Sequence, residues 1–260
     1  MRHTSLFTSR FEIKYPLAPD LIPLVSRAIQ RYAVSDPFVP KNQISYTVKT
    51  LYLDSQDLKY YYQKLDGLKI RKKLRIRTYG EDHSMAFLEI KRRYIDIVVK
   101  ERAKYSASEI FGLIDECREN PMPDISSMHE KTGKLAGKFL YWIMKNRLQP
   151  TLLVMYEREA YIHPFAPYQR VTVDDDVRYY LYPCLDDLFH GRGVVFLKQP
   201  AGILELKFND FMPVWMRRLE AEFDLRQMSI SKYAFGIEAC QEDLRKEVTA
   251  CPQTHWRLYS

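Results

Sequence analysis

Strict alternation of polar and apolar residues marks several segments of the chain, and Arg71–Tyr79 shows it most clearly. Successive side chains of a strand point to opposite faces. One face of this segment is therefore basic, with Arg71, Lys73, Arg75 and Arg77. The other face is apolar except for Lys72, which we expect to be solvated. For this strand alone, a solvated face on a half-buried antiparallel sheet is the simplest interpretation.

The same analysis predicts a series of strands and helices along the whole chain. Period-two patterns predict strands at Arg10–Tyr15, Ile44–Asp54, Arg71–Tyr79, Met85–Arg92, Ile95–Arg102, Thr151–His163, Arg170–Leu181 and Gly202–Phe208. Helical spacing and capping residues predict helices at Asp20–Ala33, Asp57–Leu65, Ser106–Glu119, His129–Arg147, Met212–Leu225 and Ser229–Lys246. The segment Pro183–Pro200 looks irregular, and no Ser/Gly linker interrupts the chain. We expect one domain over residues 1–246 and a loosely held tail at 247–260.

Composition places the chain among ordinary globular proteins and adds a basic bias. It has 260 residues, of which 46% are hydrophobic and 28% charged, with a formal net charge of +7. The four cysteines have no Cys-x-x-Cys spacing, which indicates thiols in a reducing compartment. We find no signal-peptide pattern and no apolar run of membrane-spanning length, so we expect a cytoplasmic protein without a membrane segment.

Charged faces recur in the other predicted strands. Three strands contain nearly the same residues, with Glu and Lys two apart on one face and apolar neighbours on the other: Phe11-Glu12-Ile13-Lys14, Leu88-Glu89-Ile90-Lys91 and Leu204-Glu205-Leu206-Lys207. Three further strands continue the pattern with Lys100 and Arg102, with Tyr156 and Arg158, and with Arg170, Thr172, Asp174 and Asp176. Every one of these strands has one charged and one apolar face.

Two architectures accommodate such strands. In a half-buried sheet the charged faces meet water, whereas in a closed barrel the helices cover the apolar faces and the charges point inward. The amphipathic helices favour the barrel, because their apolar stripes must be buried. We therefore expect an α+β fold, an eight-stranded antiparallel β-barrel with peripheral α-helices. The cations on the inner face outnumber the acids, which indicates an anionic ligand, and phosphate suits Arg and Lys.

The ordered set of motifs resembles the VTC polyphosphate polymerase domain, from about Arg10 to Gly236. The matching segments are Arg10–Tyr15, Thr50–Asp54, Lys73–Arg77, Leu88–Lys91, Lys100–Arg102, Tyr156–Arg158, Arg170–Asp174, Leu204–Lys207 and Ser231–Tyr233. This domain belongs to the triphosphate tunnel superfamily, whose members fold as eight-stranded barrels around a charged tunnel.

The resemblance implies transfer of the terminal phosphate of ATP, or of another triphosphate, to a polyphosphate chain, with Mn²⁺ or Mg²⁺ as the metal. It implies catalytic roles for Lys14, Arg75, Arg77, Lys91, Arg158 and Lys232. It also implies phosphate binding by a further set of residues on these faces: Arg10, Lys73, Lys100, Arg102, Tyr156, Arg170, Lys207 and Ser231. The metal-binding acids would be Glu205, Glu12 and Glu89.

One departure from the resemblance, and two alternatives, bear on the function. Ser229 stands where the family often has a lysine, which weakens the case for efficient polymerisation. Hydrolases of the superfamily typically begin with Glu-x-Glu-x-Lys, whereas here the first position is Arg10, which favours chain binding over hydrolysis of a triphosphate. A non-catalytic module that binds polyphosphate or inositol phosphates is another alternative. We expect no nucleic-acid partner, because the sequence has no recognition-helix or RNP pattern.

Overall fold

The computed structural model describes residues 10–82, 84–95, 97–119, 133–190, 197–199 and 201–250. Its strands are β1 (Arg10–Leu17), β2 (Val34–Ser35), β3 (Tyr46–Asp54), β4 (Ile70–Tyr79), β5 (Met85–Tyr94), β6 (Ile97–Ser106), β7 (Gln149–His163), β8 (Ala166–Leu181), β9 (Leu197–Lys198) and β10 (Gly202–Asn209). Its helices are α1 (Ile22–Ile29), α2 (Lys59–Leu65), α3 (Ala107–Glu119), α4 (Lys134–Asn146), α5 (Leu185–Phe189), α6 (Val214–Glu222) and α7 (Lys232–Ala250). No helix in these ranges is long and apolar enough to cross a membrane.

One antiparallel sheet contains all the strands. Its main path has the order β1-β10-β8-β7-β3-β4-β5-β6, while the short strands β2 and β9 pair with β7 and β8. The sheet curls into a half-barrel with β1 and β6 at its two edges. The predicted eight-stranded antiparallel architecture is thus confirmed.

Helices bury the apolar outer face of the sheet. Leu74 and Ile76 of β4 lie in a cluster with Phe139 and Leu140 of α4. At the other side of the sheet, residues of β8 and β10 pack with α1 and α6, as in the contact group of Val173, Leu206 and Met216. Because these apolar faces point out toward the helices, the charged faces line the inside, as the sequence predicts.

Helix α7 differs from the other helices because it packs on the inner face of β3, β7 and β8. Tyr233 and Ile237 of α7 form a cluster with Tyr52, Val154 and Tyr179. The register of β7 and β8 shifts between Met155 and Glu157, and this irregularity turns the side chain of Tyr179 to the inner face. One part of the interior is therefore apolar and filled by a helix.

Several local predictions need correction. Lys72 is not simply solvated, because its Nζ lies 3.0 Å from the centre of the Trp142 ring. The segment Pro183–Pro200, predicted to be irregular, contains α5 and β9, and short β2 had no prediction. Helix α7 continues past residue 246, and residues 251–260 of the predicted tail lie outside the described residues, as do residues 129–132 of the predicted fourth helix.

Candidate functional site

The inner face of β4, β5 and β6 carries its charges in cross-strand rows. The register places Lys73 opposite Lys91, and Lys91 opposite Lys100. We call these three residues the inner lysine row. Like charges directly opposite each other are destabilising in a sheet. The row therefore carries an electrostatic cost that an anion between the strands would offset.

Two of the three lysines form no ion pair with a carboxylate among the described residues, although Glu12 and Glu205 act on Lys91 from a longer distance. Lys73 donates a 2.8 Å hydrogen bond to the Ser231 hydroxyl, which is neutral. Lys91 has neither a hydrogen bond nor an ion pair with any residue in the described ranges. Burial and the neighbouring cations, Lys91 among them, lower the pKa of Lys73 to about 8. Burial likewise lowers the pKa of Lys91. Both ammonium groups are therefore held in a site that favours a compensating negative charge.

Glu89 is the carboxylate of the adjacent row. It is fully buried and contacts Arg75 at 2.6 Å, Lys100 at 2.8 Å and Arg102 at 3.4 Å. Burial opposes its ionisation, but Arg75, Arg77 and Lys100 lower the pKa of Glu89 to about 2. This carboxylate is thus ionised and anchors three cations on the wall.

Arg77 and Tyr52 form the next part of this wall. The Arg77 Nε donates a 2.9 Å hydrogen bond to the Thr50 hydroxyl, and its Nη1 lies 3.5 Å from the Tyr79 hydroxyl. The Tyr52 hydroxyl accepts a 3.4 Å hydrogen bond from Arg75. Although burial opposes this, Arg75 and Arg77 lower the pKa of Tyr52 to about 7. The hydroxyl groups of Thr50, Tyr79 and Tyr52 therefore help to orient the two guanidinium groups on this wall.

The opposite wall consists of β1, β10, β8 and β7 and has two buried carboxylates. Asp174 accepts two hydrogen bonds from Arg158, at 2.5 and 2.7 Å, and a short contact from Lys232. Glu205 lies 2.7 Å from Lys207 and 3.4 Å from Lys232. Burial raises the pKa of Glu205, but Lys207 and Lys232 hold it well below its usual range. Both acids are therefore ionised inside the sheet.

Glu12 and Glu205 converge on one lysine. The Lys14 Nζ lies 3.1 Å from Glu12 and 3.4 Å from Glu205. Burial and the nearby Glu205 raise the pKa of Glu12, yet Lys14 and other lysines lower it to about 2. Two ionised carboxylates from neighbouring strands thus face the same space. No group of three or more His, Cys, Asp or Glu side chains that would hold a metal occurs in the described ranges.

The segment that leads into α7 crosses between the two walls. Its Met228 amide donates to the Lys14 carbonyl at 2.9 Å, and its Ile230 carbonyl accepts from the Lys14 ammonium at 3.3 Å. Ser231 reaches Lys73 on the other wall. Lys232 then lies 4.8 Å from the centre of the Tyr156 ring. This segment therefore brings Ser231 and Lys232 to cations and acids from distant strands.

Asp54 holds the start of α7 in place. It is fully buried and accepts hydrogen bonds from the Tyr60 amide at 2.9 Å, the Tyr61 amide at 3.0 Å and the Tyr233 hydroxyl. The Tyr233 ring stacks on Tyr52 with ring centres 5.0 Å apart. We call the Asp54–Tyr233 contact the latch.

The structure brings most of the predicted residues to these two walls. They are Glu12, Lys14, Lys73, Arg75, Arg77, Glu89, Lys91, Lys100, Arg102, Tyr156, Arg158, Glu205, Lys207, Ser231 and Lys232. Arg170 is separate, because its contacts are the Pro167 carbonyl at 3.3 Å and Asp36 at 3.9 Å. The side chain of Arg10 lies outside the described residues, so its predicted role stays a prediction.

The sequence analysis missed Asp174, Asp54, Tyr52 and Thr50 as parts of the site. Asp174 gave a usable signal, since it shares a face with Arg170 and Thr172 in a charged strand. Its pairing with Arg158 depends on the β7–β8 register, which places the two residues opposite each other. Asp54 gave no signal, because its partners come from α2 and from the far end of the chain.

The fold and site define a curled antiparallel sheet whose inner face carries many cations, several of them held by buried carboxylates. The sequence matches the model of the VTC domain over residues 9–241, and the chain belongs to that family. No curated protein matches it significantly.

Solved structures with a similar chain path share little sequence with this protein. A candidate adenylyl cyclase from Hippeastrum, described as having a dominant triphosphatase activity, is 14% identical, with a TM-score of 0.47 over 88% of this chain and 96% of that one. The PH1819 protein from Pyrococcus horikoshii OT3 is 12% identical, with a TM-score of 0.44 over 88% and 99%. A candidate adenylate cyclase from Vibrio parahaemolyticus is 11% identical, with a TM-score of 0.41 over 85% and 94%.

Proposed function

We propose that this protein is a metal-dependent phosphotransferase that moves the terminal phosphate of ATP to a polyphosphate chain held inside the half-barrel. The inner lysine row carries the proposal. Lys73, Lys91 and Lys100 lie opposite one another, and in the described ranges only Lys100 has a carboxylate partner. A row of this kind matches a linear anion with closely spaced charges.

Phosphoryl transfer suits a site of this composition. Such reactions depend on positioning and charge stabilisation more than on covalent chemistry by the protein. Arg75 and Arg77 are oriented by Glu89 and by the Thr50 hydroxyl, so they need no rearrangement to contact phosphate oxygens. On the other wall, Arg158 and Lys232 are fixed by Asp174. The two walls together can hold a donor and an acceptor phosphate close to each other.

Glu12 and Glu205 fit a divalent metal. Carboxylate oxygens are the ligands that Mg²⁺ and Mn²⁺ prefer, and Mg²⁺ is commonly held by one or two carboxylates together with substrate phosphates. The two acids come from adjacent strands and share Lys14 as a partner. When bound, the metal would supply positive charge that neutralises the charge developing during transfer. The oxygens of Glu89 are already held by three cations, so we propose that Glu89 anchors the wall.

Hydrolysis of a short triphosphate is the second candidate, and the position of α7 favours it. The segment from Met228 to Lys232 joins the two walls, and α7 fills part of the interior. A site covered in this way suits a compact triphosphate as its ligand.

One experiment separates these functions. Purified protein is incubated with ATP and Mn²⁺, and the products are resolved by polyphosphate gel and by phosphate release. Long chains support the polymerase. The incubation is repeated with tripolyphosphate as substrate, and release of free phosphate without chains supports the hydrolase. Tight polyphosphate binding without turnover contradicts both and indicates a binding module.

Matched variants test whether the inner lysine row is needed for turnover. We expect Lys91→Met to abolish most turnover, because it removes an unpaired cation without leaving a buried acid alone. Lys41→Met removes the same charge from an exposed loop and is expected to behave like the wild type. Equal activity of the two variants would contradict the proposal.

A further inference from the structure

Three lysines outside the sheet form a second cationic group. They are Lys59 of α2, Lys72 of β4 and Lys145 of α4, and we call them the outer lysine cluster. Lys72 lies on the outer face, since it alternates with Lys73 of the inner row. Lys72 and Lys145 lie over the same Trp142 ring, with Lys145 Nζ 5.5 Å from its centre, and Lys59 bonds to Asn146 of the same helix, so these cations converge. Consistent with this, burial and the approach of Lys145, Lys59 and Arg92 lower the pKa of Lys72 to about 8.

Neutral groups hold all three ammonium groups. The Lys72 Nζ lies 3.0 Å from the centre of the Trp142 ring. Lys145 donates a 2.8 Å hydrogen bond to the Tyr141 hydroxyl, and Lys59 donates a 3.3 Å hydrogen bond to the Asn146 amide oxygen. Within the part of the chain that the structure describes, no carboxylate pairs with any of the three lysines.

The neighbouring cations show a different arrangement. Arg92 lies 2.5 Å from Glu101, and Lys138 lies 2.6 Å from the same carboxylate. The acid near this surface is therefore already neutralised by two other cations. Among the described residues, no carboxylate offsets the charge of the outer lysine cluster.

We propose that the outer lysine cluster is a second binding site, outside the half-barrel, for a soluble anion that carries several adjacent phosphate groups. Three charges from three different elements exceed what a single phosphate needs, and ammonium groups bind phosphate as point charges. The sheet separates this site from the inner lysine row, because Lys72 and Lys73 point to opposite faces.

The aromatic residues in this region favour phosphate over a nucleic-acid base. Single-stranded nucleic acids are bound by stacking of bases on exposed aromatic faces. Here Lys72 covers one face of the Trp142 ring, and Tyr141 packs against it edge-on with ring centres 5.1 Å apart. The ring is therefore not available as a stacking platform.

Binding of tripolyphosphate and of long-chain polyphosphate tests the proposal by calorimetry. The starting protein carries Lys73→Met and Lys91→Met, which remove two cations of the inner lysine row and so weaken the inner site. We expect it to retain binding, and we expect Lys59→Gln, Lys72→Gln and Lys145→Gln together to weaken the Kd by about tenfold or more. The matched control carries Arg27→Gln, Lys41→Gln and Arg217→Gln, which remove the same charge from other exposed positions.

The fluorescence emission of Trp142 gives a second measurement. It uses protein whose inner site is unchanged, so it does not depend on the folding of the double variant. We expect polyphosphate to change this emission and Trp142→Phe to abolish the change. Equal affinity of the outer triple variant and its control would overturn the proposal. Tighter binding of a single-stranded oligonucleotide than of polyphosphate would also overturn it. Turnover is not measured, so the outcome is independent of the proposed reaction.

Discussion

At the scale of single residues, the cations of the inner face differ in whether a carboxylate holds them in place. Arg158 and Arg75 each contact a buried carboxylate, so their charge is compensated inside the protein. Lys73 and Lys91 have no such partner in the described ranges. Partly buried charge without compensation is costly, and the two lysines are therefore the strongest indication that the site binds an anion.

Removal of a guanidinium group from the inner wall should reduce turnover strongly. We expect Arg75→Ala or Arg77→Ala to lower the rate by about 10²–10³, the usual effect of losing one preorganised electrostatic contact. Steady-state kinetics with ATP and Mn²⁺ measure this. Arg71→Ala is the control, since its guanidinium donates to the Leu68 carbonyl at the end of the strand, and it should cost little. Activity near wild type in either inner variant counts against the tunnel site.

The pH dependence of ligand binding should follow Lys73. Its folded-state pKa of about 8 lies below the ordinary value of 10.5, so it loses its proton as the pH rises through about 8. Phosphate needs the charged form, and we therefore expect tripolyphosphate affinity to fall over that range. The stability of the ligand-free protein has the opposite pH dependence. Between pH 8 and 10.5 the unfolded chain keeps a proton on Lys73 that the folded protein has lost, so the free energy of unfolding should rise with pH.

Two substitutions test whether Lys73 is the group responsible for this pH effect. Lys73→Arg keeps its charge and should remove the step near pH 8. Tyr52→Phe should keep the step or move it lower, because the Tyr52 phenolate favours charged Lys73. An unchanged pH profile in Lys73→Arg would show that another group titrates.

At the scale of elements, α7 determines how the site is completed. The helix lies on the inner face of the sheet, and its first turn places Ser231 and Lys232 between the walls. Hydrophobic packing of Ile237 and the latch from Asp54 fix its position. The apolar stripe of α7 therefore serves ligand binding as well as stability.

Loss of the latch should affect both stability and binding. In Tyr233→Phe, Asp54 loses one donor inside the protein, and we expect the free energy of unfolding to fall by about 1–3 kcal/mol. We also expect weaker tripolyphosphate binding, since Ser231 and Lys232 become less well positioned. Denaturant unfolding and calorimetry measure the two effects. Tyr168→Phe, at an exposed position, is the control, and a purely structural latch would leave the affinity unchanged.

At the scale of the whole molecule, the inner lysine row opposes stability while it serves binding. Repulsion among Lys73, Lys91 and Lys100 destabilises the ligand-free sheet, and a bound anion removes that repulsion. Such an exchange of stability for function is common at binding sites.

Two thermal measurements follow from this exchange. Lys73→Met with Lys91→Met should raise the free energy of unfolding of the ligand-free protein by about 1 kcal/mol. In the wild type, tripolyphosphate at about 100 times its Kd should raise the Tm by about 5–10 °C. In a background that carries Lys59→Gln, Lys72→Gln and Lys145→Gln, which leaves only the inner site to bind the ligand, the double variant should lose most of this rise. A double variant that is less stable than the wild type, or that keeps the full rise, would contradict the proposed role of the row.

The sequence by itself determined the eight long strands, most of the helices and the two faces of most of these strands. These features are local, because a period of two or of 3.6 is written in neighbouring residues. The cationic face of β4 and the Glu-x-Lys faces of β1, β5 and β10 could therefore be predicted together with the curled antiparallel sheet. The family follows from the order of these motifs along the chain.

Only the tertiary structure decided which charges meet. The pairing of Glu89 with three cations, of Asp174 with Arg158 and of Lys73 with Ser231 depends on register and on contacts between distant segments. Local periodicity does not encode register, and a shift of one residue moves every side chain to the other face. For the same reason the sequence did not reveal that α7 lies inside the sheet, or that Lys72 packs on Trp142.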